Sequence, residues 1–169
     1  QARYRQVLAL EARRFDALHL LGVVLRQQGD AQGAVALIGQ AITIDPGQAT
    51  AHCNLGAALQ DLGRSEQALA SFEAALQRNP GYPLAWSNRG NALRKLGRLP
   101  EAVDSYERAL ALRPNYPEAW GNRAIALLDL GQALRVDLDA VDMALDLTAG
   151  LVECNGCGVE QLPRVGGRL

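Results

Sequence analysis

The side chains that could carry chemistry in this sequence are two histidines, three cysteines and a short run of aspartates. Cys154 and Cys157 form a Cys-x-x-Cys pair, a spacing that occurs in zinc sites and in redox centres. A structural zinc site takes four ligands, and the other candidates, Cys53 and the two histidines, lie far away in the sequence. We therefore predict no metal site and no cofactor.

The histidines and the aspartates do not form a catalytic group either. His19 has no companion nucleophile or second base close to it in the sequence. The acidic run lacks the turn-forming glycine and the bidentate glutamate of a calcium loop, and it reads as a solvated helix face. It consists of Asp137, Asp139, Asp142 and Asp146. The sequence thus predicts no catalytic residue and a protein that is not an enzyme.

Composition narrows the classes of partner. Seventeen basic and eighteen acidic side chains give a net charge of −1, so the positive surface expected of a nucleic-acid-binding protein is absent. No apolar run approaches the roughly 20 residues that a membrane helix requires, and we expect no membrane partner. Three cysteines in a chain of this size favour a reducing compartment, which predicts a cytoplasmic protein.

The elements that position these side chains repeat along the chain with a constant period of about 34 residues. Prolines recur with this period, and so do glycines: Pro46, Pro80 and Pro114; Gly29, Gly63, Gly97 and Gly131. Glycine accepts the left-handed conformation that ends many helices, and proline cannot continue a helix. The pattern predicts an all-α fold, an α-solenoid of stacked antiparallel helix pairs, each first helix ending at a glycine and each second helix at a proline.

Small and large residues alternate in the same frame. Glycines and alanines recur where two helices of a pair would cross closely, and large side chains recur opposite them. The small set is Gly22, Gly56 and Gly90, and the large set is Ile38, Phe72 and Tyr106. His52 occupies the position of Trp86 and Trp120, which predicts a core residue.

The period divides the chain into units with definite boundaries. Full repeats are predicted at 15–48, 49–82 and 83–116, and a degenerate repeat at 117–150. Residues 1–14 read as the second helix of a truncated repeat, since Tyr4 and Val7 lie one period before Ile38 and Ala41. Residues 151–169 read as a cap or tail, because a bare solenoid end would expose its core.

The residues inside one period resemble those of the tetratricopeptide repeat family. The repeat of that family is about 34 residues long and places Trp, Leu-Gly, Tyr, Ala, Phe and Pro at fixed offsets. One unit of this chain carries Trp86, Asn88, Gly90, Leu93, Gly97, Ala102, Tyr106, Ala109 and Pro114. Residues 1–132 are moreover similar to the arrays that precede the catalytic domain of O-linked N-acetylglucosamine transferases.

The resemblance implies that the helix pairs stack as a right-handed superhelix. It also implies a protein-interaction scaffold that holds an extended peptide or partner protein of unknown identity in a concave groove lined by the first helices. An asparagine ladder would face that groove, formed by Asn54, Asn88 and Asn122. An amide can pair with the backbone of an extended peptide, and it can equally tie neighbouring helices together. Further residues expected on the same face are His19, Arg26, Asn91, Arg94 and Lys95.

Two alternatives stay open at this point. The chain could be the substrate-recruiting part of a glycosyltransferase, or a module that forms homo-oligomers through the half-repeat at 1–14. The resemblance also argues against chaperone tails as ligands, because the lysines and arginine that clamp their carboxylates in other family members are missing. The slots beside Asn54 hold His19, Val23, Leu84 and Asn88, and those beside Asn88 hold Cys53, Ala57, Glu118 and Asn122.

Overall fold

The computed structural model describes residues 2–134, with side chains from residue 10 onward except residue 12. The chain divides into two compact units, Gln1–Leu128 and Asp129–Leu169, and the fold below is that of the first. The second helix of the predicted fourth repeat, the tail at 151–169, the acidic run and the Cys-x-x-Cys pair lie outside the described residues.

Every regular element of the described residues is a helix, which confirms the all-α repeat array. Six helices have both ends described, and a further helix covers 117–134. The six are α1 (Ala2–Gln27), α2 (Ala31–Ile44), α3 (Ala49–Asp61), α4 (Ser65–Arg78), α5 (Pro83–Lys95) and α6 (Leu99–Leu112). Within 2–134, no helix is both long and apolar enough to cross a membrane.

The glycines end the first helices as predicted. Gly29, Gly63 and Gly97 have φ of 88°, 73° and 75°, the left-handed region that glycine adopts without a steric penalty. After α3, Gly63 N–H donates to the carbonyl of Gln60 at 3.0 Å, and the next amide donates to that of Leu59 at 2.9 Å. These bonds satisfy carbonyls that the end of a helix leaves without partners.

The second helices end shortly before each proline. Asp45, which precedes Pro46, has φ −135° and ψ 95°, and the residues that follow α4 and α6 have similar angles. This conformation follows from the clash between a proline ring and the residue before it, which disfavours helical backbone there.

Glycines on the first helices give room to large side chains on the second. A methyl group built on Gly56 would lie 2.6 Å from the ring of Phe72, and one on Gly90 would lie 2.6 Å from that of Tyr106. Gly22 and Ile38 make the same close contact in the first pair. Phe72, Tyr106 and Ile38 are fully buried, so the predicted alternation of small and large residues forms the core.

The structure differs from the sequence prediction at two boundaries. No turn separates residues 1–14 from residues 15–27, because α1 is one continuous helix. The position in frame with Pro46 is Ala12, and alanine is the strongest helix former. Gly131 likewise lies inside a helix that continues to residue 134, since the three residues after it, Gln132, Ala133 and Leu134, favour helix.

The helices of the first unit pack in chain order. From α1 to α6, each first helix contacts the second helix of its own pair, and α2 and α4 contact the first helix of the next pair. Successive first helices, α1 with α3 and α3 with α5, also contact each other, whereas α2, α4 and α6 make no such contacts. The first helices therefore line the inner side of this unit.

Candidate functional site

We call the inner face the side of the first helices on which successive first helices meet. Its positions recur once per period and have the spacing i, i+4, i+7 and i+11, which keeps them on one side of each helix. On the helices whose ends are both described, they are Asp16, Leu20, Val23 and Gln27; Thr50, Asn54, Ala57 and Asp61; and Leu84, Asn88, Asn91 and Lys95. Asn122 takes the asparagine position on the helix at 117–134.

Side chains that contact each other across successive first helices are separated in the sequence by one period plus one residue. Asn54 Nδ2 lies 2.8 Å from His19 Nε2, and Asn88 Nδ2 lies 3.9 Å from Cys53 Sγ. Arg26 and Asp61 form an ion pair at 2.6 Å near the other end of the same helices as His19 and Asn54. The first two rungs of the predicted ladder therefore tie neighbouring helices together, which is one of the two roles considered for them.

The contact with Asn54 fixes the protonation of His19. An amide nitrogen can only donate, so His19 Nε2 accepts and the ring carries its proton on Nδ1. Burial lowers the pKa of His19, and the negative charge of Asp16 opposes this only in part. His19 is thus a neutral acceptor that also packs against the Phe15 ring, with centroids 5.5 Å apart.

The amide oxygens of the first two rungs stay available to a ligand. Within residues 2–134, Asn54 and Asn88 make side-chain hydrogen bonds through Nδ2, and Oδ1 of each accepts none. Both residues are half-buried, as is Asn122 one repeat further on. Two acceptor atoms on neighbouring helices can each receive an N–H from an extended backbone.

The other predicted site residues have mixed surroundings. Asn91 accepts a hydrogen bond of 2.8 Å from the Tyr106 hydroxyl, which directs its amide oxygen towards α6. Arg26 is paired with Asp61, as described above. Arg94 is half-buried, and Lys95 is exposed at the end of α5. Arg26 and Lys95 are therefore the two exposed side chains of these four.

Comparison with known families agrees with this architecture. Two models described as tetratricopeptide repeat match residues 53–117 and 105–135, and one described as TPR repeat matches residues 22–63. Together they span the helix pairs from α1 to the helix at 117–134. The chain is a tetratricopeptide repeat protein. A search of the curated proteins found no match.

Solved structures of tetratricopeptide domains share the fold. The first such domain of Spaghetti (RPAP3), bound to the HSP90 peptide SRMEEVD, is 28% identical with a TM-score of 0.69, over 70% of this chain and 94% of that chain. The first domain of human RPAP3 gives the same values. The Sgt2 domain from Aspergillus fumigatus is 24% identical with a TM-score of 0.69, over 72% and 82% of the two chains.

A second side-chain cluster lies away from the inner face of this repeat array, and our sequence predictions missed it. Trp86 Nε1 donates to the Pro80 carbonyl at 2.8 Å, and Trp120 repeats the bond to Pro114 at 3.0 Å. Arg89 lies over the Trp86 ring, 5.8 Å from its centroid. These side chains join the start of a first helix to the turn before it.

Arg89 also connects three helices. Its guanidinium binds Glu73 of α4 at 3.1 Å and the Ser105 hydroxyl of α6 at 2.7 Å. Arg108 also lies over the Trp86 ring, and together these groups line an open cavity of about 590 Å³. The sequence signal for this cluster was the spacing from Glu73 to Arg89, which recurs one period later as Glu107 and Arg123, paired at 2.6 Å.

Proposed function

We propose that this array is a protein-interaction scaffold whose inner face binds an extended, non-acidic segment of a partner protein. The observation that carries the proposal is the pair of unoccupied amide oxygens on Asn54 and Asn88, which lie in the same position of neighbouring helices. Asn122 would extend this ladder by one rung. Regularly spaced acceptors suit the regularly spaced N–H groups of an extended chain.

Apolar side chains beside the ladder would supply the anchors. Leu20 takes the ladder position on α1 and is 63% exposed, and Leu84 lies one turn before Asn88 and is 42% exposed. Burying such a side chain contributes about 1.5–3 kcal/mol, whereas one neutral hydrogen bond contributes about 0.5–1.5 kcal/mol net. Affinity would therefore come from apolar anchors, and the amides would set the direction and register of the peptide.

The charges of the inner face favour a neutral or basic ligand. Arg26 is neutralised by Asp61, and on α1, α3 and α5 the exposed cation of this face is Lys95. Asp16 and Glu118 occupy the same position on the first and the last of the first helices and add negative charge. The acidic peptide SRMEEVD is bound by the Spaghetti domain. Acidic tails are not the ligands proposed for this chain.

The solved relatives do not favour the two alternatives from the sequence as the principal function. The Spaghetti domain is described as bound to a peptide, and none of the three described above is a glycosyltransferase array. The relation to O-linked N-acetylglucosamine transferases and the cytoplasmic location stay predictions from the sequence.

A peptide library tests the proposed function. The full chain would be probed against immobilised neutral dodecapeptides with alternating apolar and polar residues, and against SRMEEVD as the acidic comparison. We expect binding to a subset of the neutral peptides and none to SRMEEVD. Replacing Asn54, Asn88 and Asn122 together by Ala should weaken this binding about tenfold or more, because two or three hydrogen bonds are lost.

Asn115→Ala is the matched control, because Asn115 is an exposed asparagine in the turn after α6, away from the inner face. It should bind as the unmodified chain does. Equal binding by the triple variant and the unmodified chain would contradict the proposal, and so would a preference for SRMEEVD. Circular dichroism of each variant would show that the helices are intact.

A further inference from the structure

An apolar strip on α1 lies open to solvent. We call it the edge strip, and it consists of Ala17, Leu21 and Val24, which lie on one side of the helix at spacings of four and three residues. Leu21 is 51% exposed and Val24 is 43% exposed. Single exposed apolar residues are ordinary, but an aligned set on one helix face indicates a contact surface.

The equivalent strip of the next repeat is covered. Its residues are Ala51, Leu55 and Ala58, and the two alanines are fully buried. They share one core cluster with Ile38 and Ala41, which lie on α2, the second helix of the preceding repeat. The frame of the array therefore defines what fits the edge strip: a second helix running antiparallel to α1.

The same chain contains a segment with the sequence pattern of such a second helix, but this segment cannot reach the edge strip of its own copy. Tyr4 and Val7 lie one period before Ile38 and Ala41, so residues 2–11 have the frame of a second helix. In the structure this segment and the edge strip belong to one continuous helix, α1. The position in frame with Pro46, which ends α2, is Ala12, and alanine does not interrupt a helix. A straight helix cannot fold back on its own side.

We propose that two copies of the chain pair through α1, with residues 2–11 of each copy covering the edge strip of the other. The first half of α1 in one copy contacts the second half of α1 in the other copy. Two antiparallel copies therefore form two identical contacts, related by a two-fold axis. This is an exchange of equivalent elements between protomers, a low-cost route to a symmetric dimer. The pairing uses the side of α1 that carries Ala17, Leu21 and Val24, whereas the proposed peptide ligand contacts the side that carries Leu20.

Light scattering after size exclusion tests the dimer. We expect the full chain to show twice its mass of 18.1 kDa at high concentration and to dissociate on dilution. Leu21→Glu should give 18.1 kDa throughout, with unchanged helix content, because Leu21 already faces solvent in one copy. Leu112→Glu is the matched control, an equally exposed leucine (47%) on α6, and should leave the dimer intact.

A single mass of 18.1 kDa for the unmodified chain over the whole concentration range would overturn the proposal. An unchanged dimer in Leu21→Glu would overturn it as well, since the contact would then lie elsewhere.

A restored turn gives a second test. Ala12→Pro puts a helix breaker in frame with Pro46, so residues 2–11 should fold onto their own edge strip. We expect this variant to be monomeric with nearly unchanged helix content. If it dimerised as tightly as the unmodified chain, the exchange would be excluded.

Disulfide trapping distinguishes the two arrangements directly. Val7→Cys and Leu21→Cys would be combined in a chain whose three natural cysteines are replaced by Ala. Within one straight α1 these positions are about 21 Å apart, too far for a disulfide. Oxidation should therefore give a covalent dimer, whereas a covalently closed monomer would contradict the exchange.

Discussion

His52 stands where the next two repeats have Trp86 and Trp120, and its ring makes the same hydrogen bond. His52 Nε2 lies 3.0 Å from the Pro46 carbonyl, the counterpart of the two indole bonds to proline carbonyls. A carbonyl oxygen can only accept, so Nε2 carries a proton. The sequence prediction of a core residue agrees with its burial, although the hydrogen bond was not foreseen.

The two histidines should make stability depend on pH. Burial lowers the pKa of His52 and of His19 below the ordinary value of 6.5, so the unfolded chain binds protons more readily than the folded chain. The free energy of unfolding should therefore fall as the pH decreases from about 7 through 6.5. His52→Gln keeps a donor for Pro46 but does not titrate, and it should make this dependence shallower.

Urea unfolding at several pH values between 7 and 5 measures both slopes. A His19→Gln variant serves as the comparison, since it removes the other group with a lowered pKa. Identical slopes in the unmodified chain, His52→Gln and His19→Gln would contradict the lowered pKa of both rings.

At the scale of the helices, the close crossings depend on glycine. Gly90→Ala would place a methyl group 2.6 Å from the buried Tyr106 ring, whose hydroxyl is held by Asn91. The ring cannot move without losing that bond, and overpacking of this kind costs about 1–3 kcal/mol. We expect the free energy of unfolding to decrease by this amount in a denaturant titration.

Gly39→Ala is the control for this substitution. Gly39 lies inside α2, and a methyl group there would meet nothing within 4 Å. Alanine in a helix interior is more stable than glycine by about 0.5–1 kcal/mol, so this variant should be more stable than the unmodified chain. If both variants shifted stability in the same direction, the crossing would not be as close as described.

The ends of the helices show how far the sequence predicts the elements. At Gly63 and Pro80 the predicted and observed boundaries agree, whereas the helix continues through Gly131. The predicted boundary after residue 14 has no counterpart, because periodicity alone suggested it and Ala12 is no helix breaker. A repeat frame identifies equivalent positions, but a turn forms only where the local residues interrupt the helix.

The same reasoning applies to the candidate site. The frame placed Asn54 and Asn88 in equivalent positions on neighbouring first helices, and the structure has them there. The repeat frame did not predict that Asn54 contacts His19 or that Asn91 contacts Tyr106. Contacts between neighbouring first helices join residues one position further apart than the period. This offset depends on how the helices stack, which periodicity does not specify.

At the scale of the whole molecule, the succession of first helices is the binding face that we propose. Contacts between neighbouring helices hold the asparagines of this face in place, because Asn54 contacts His19 and Asn88 contacts Cys53. The second side-chain cluster, around Trp86 and Arg89, joins α5 to the turn before it and to α6. The contacts of Trp86 and Arg89 would therefore add to the stacking contacts that the inner face already makes through Asn88.

The most direct test is a two-dimensional ¹⁵N–¹H titration of the labelled chain with the strongest-binding neutral peptide of the library. One spectrum reports the side-chain amides of Asn54 and Asn88 together with the indole N–H of Trp86. We expect the amide signals to shift in a saturable manner while the Trp86 indole stays in place. A shift of the Trp86 indole signal with unchanged asparagine amide signals would contradict the proposed binding face and would place the ligand at the second cluster, around Trp86 and Arg89.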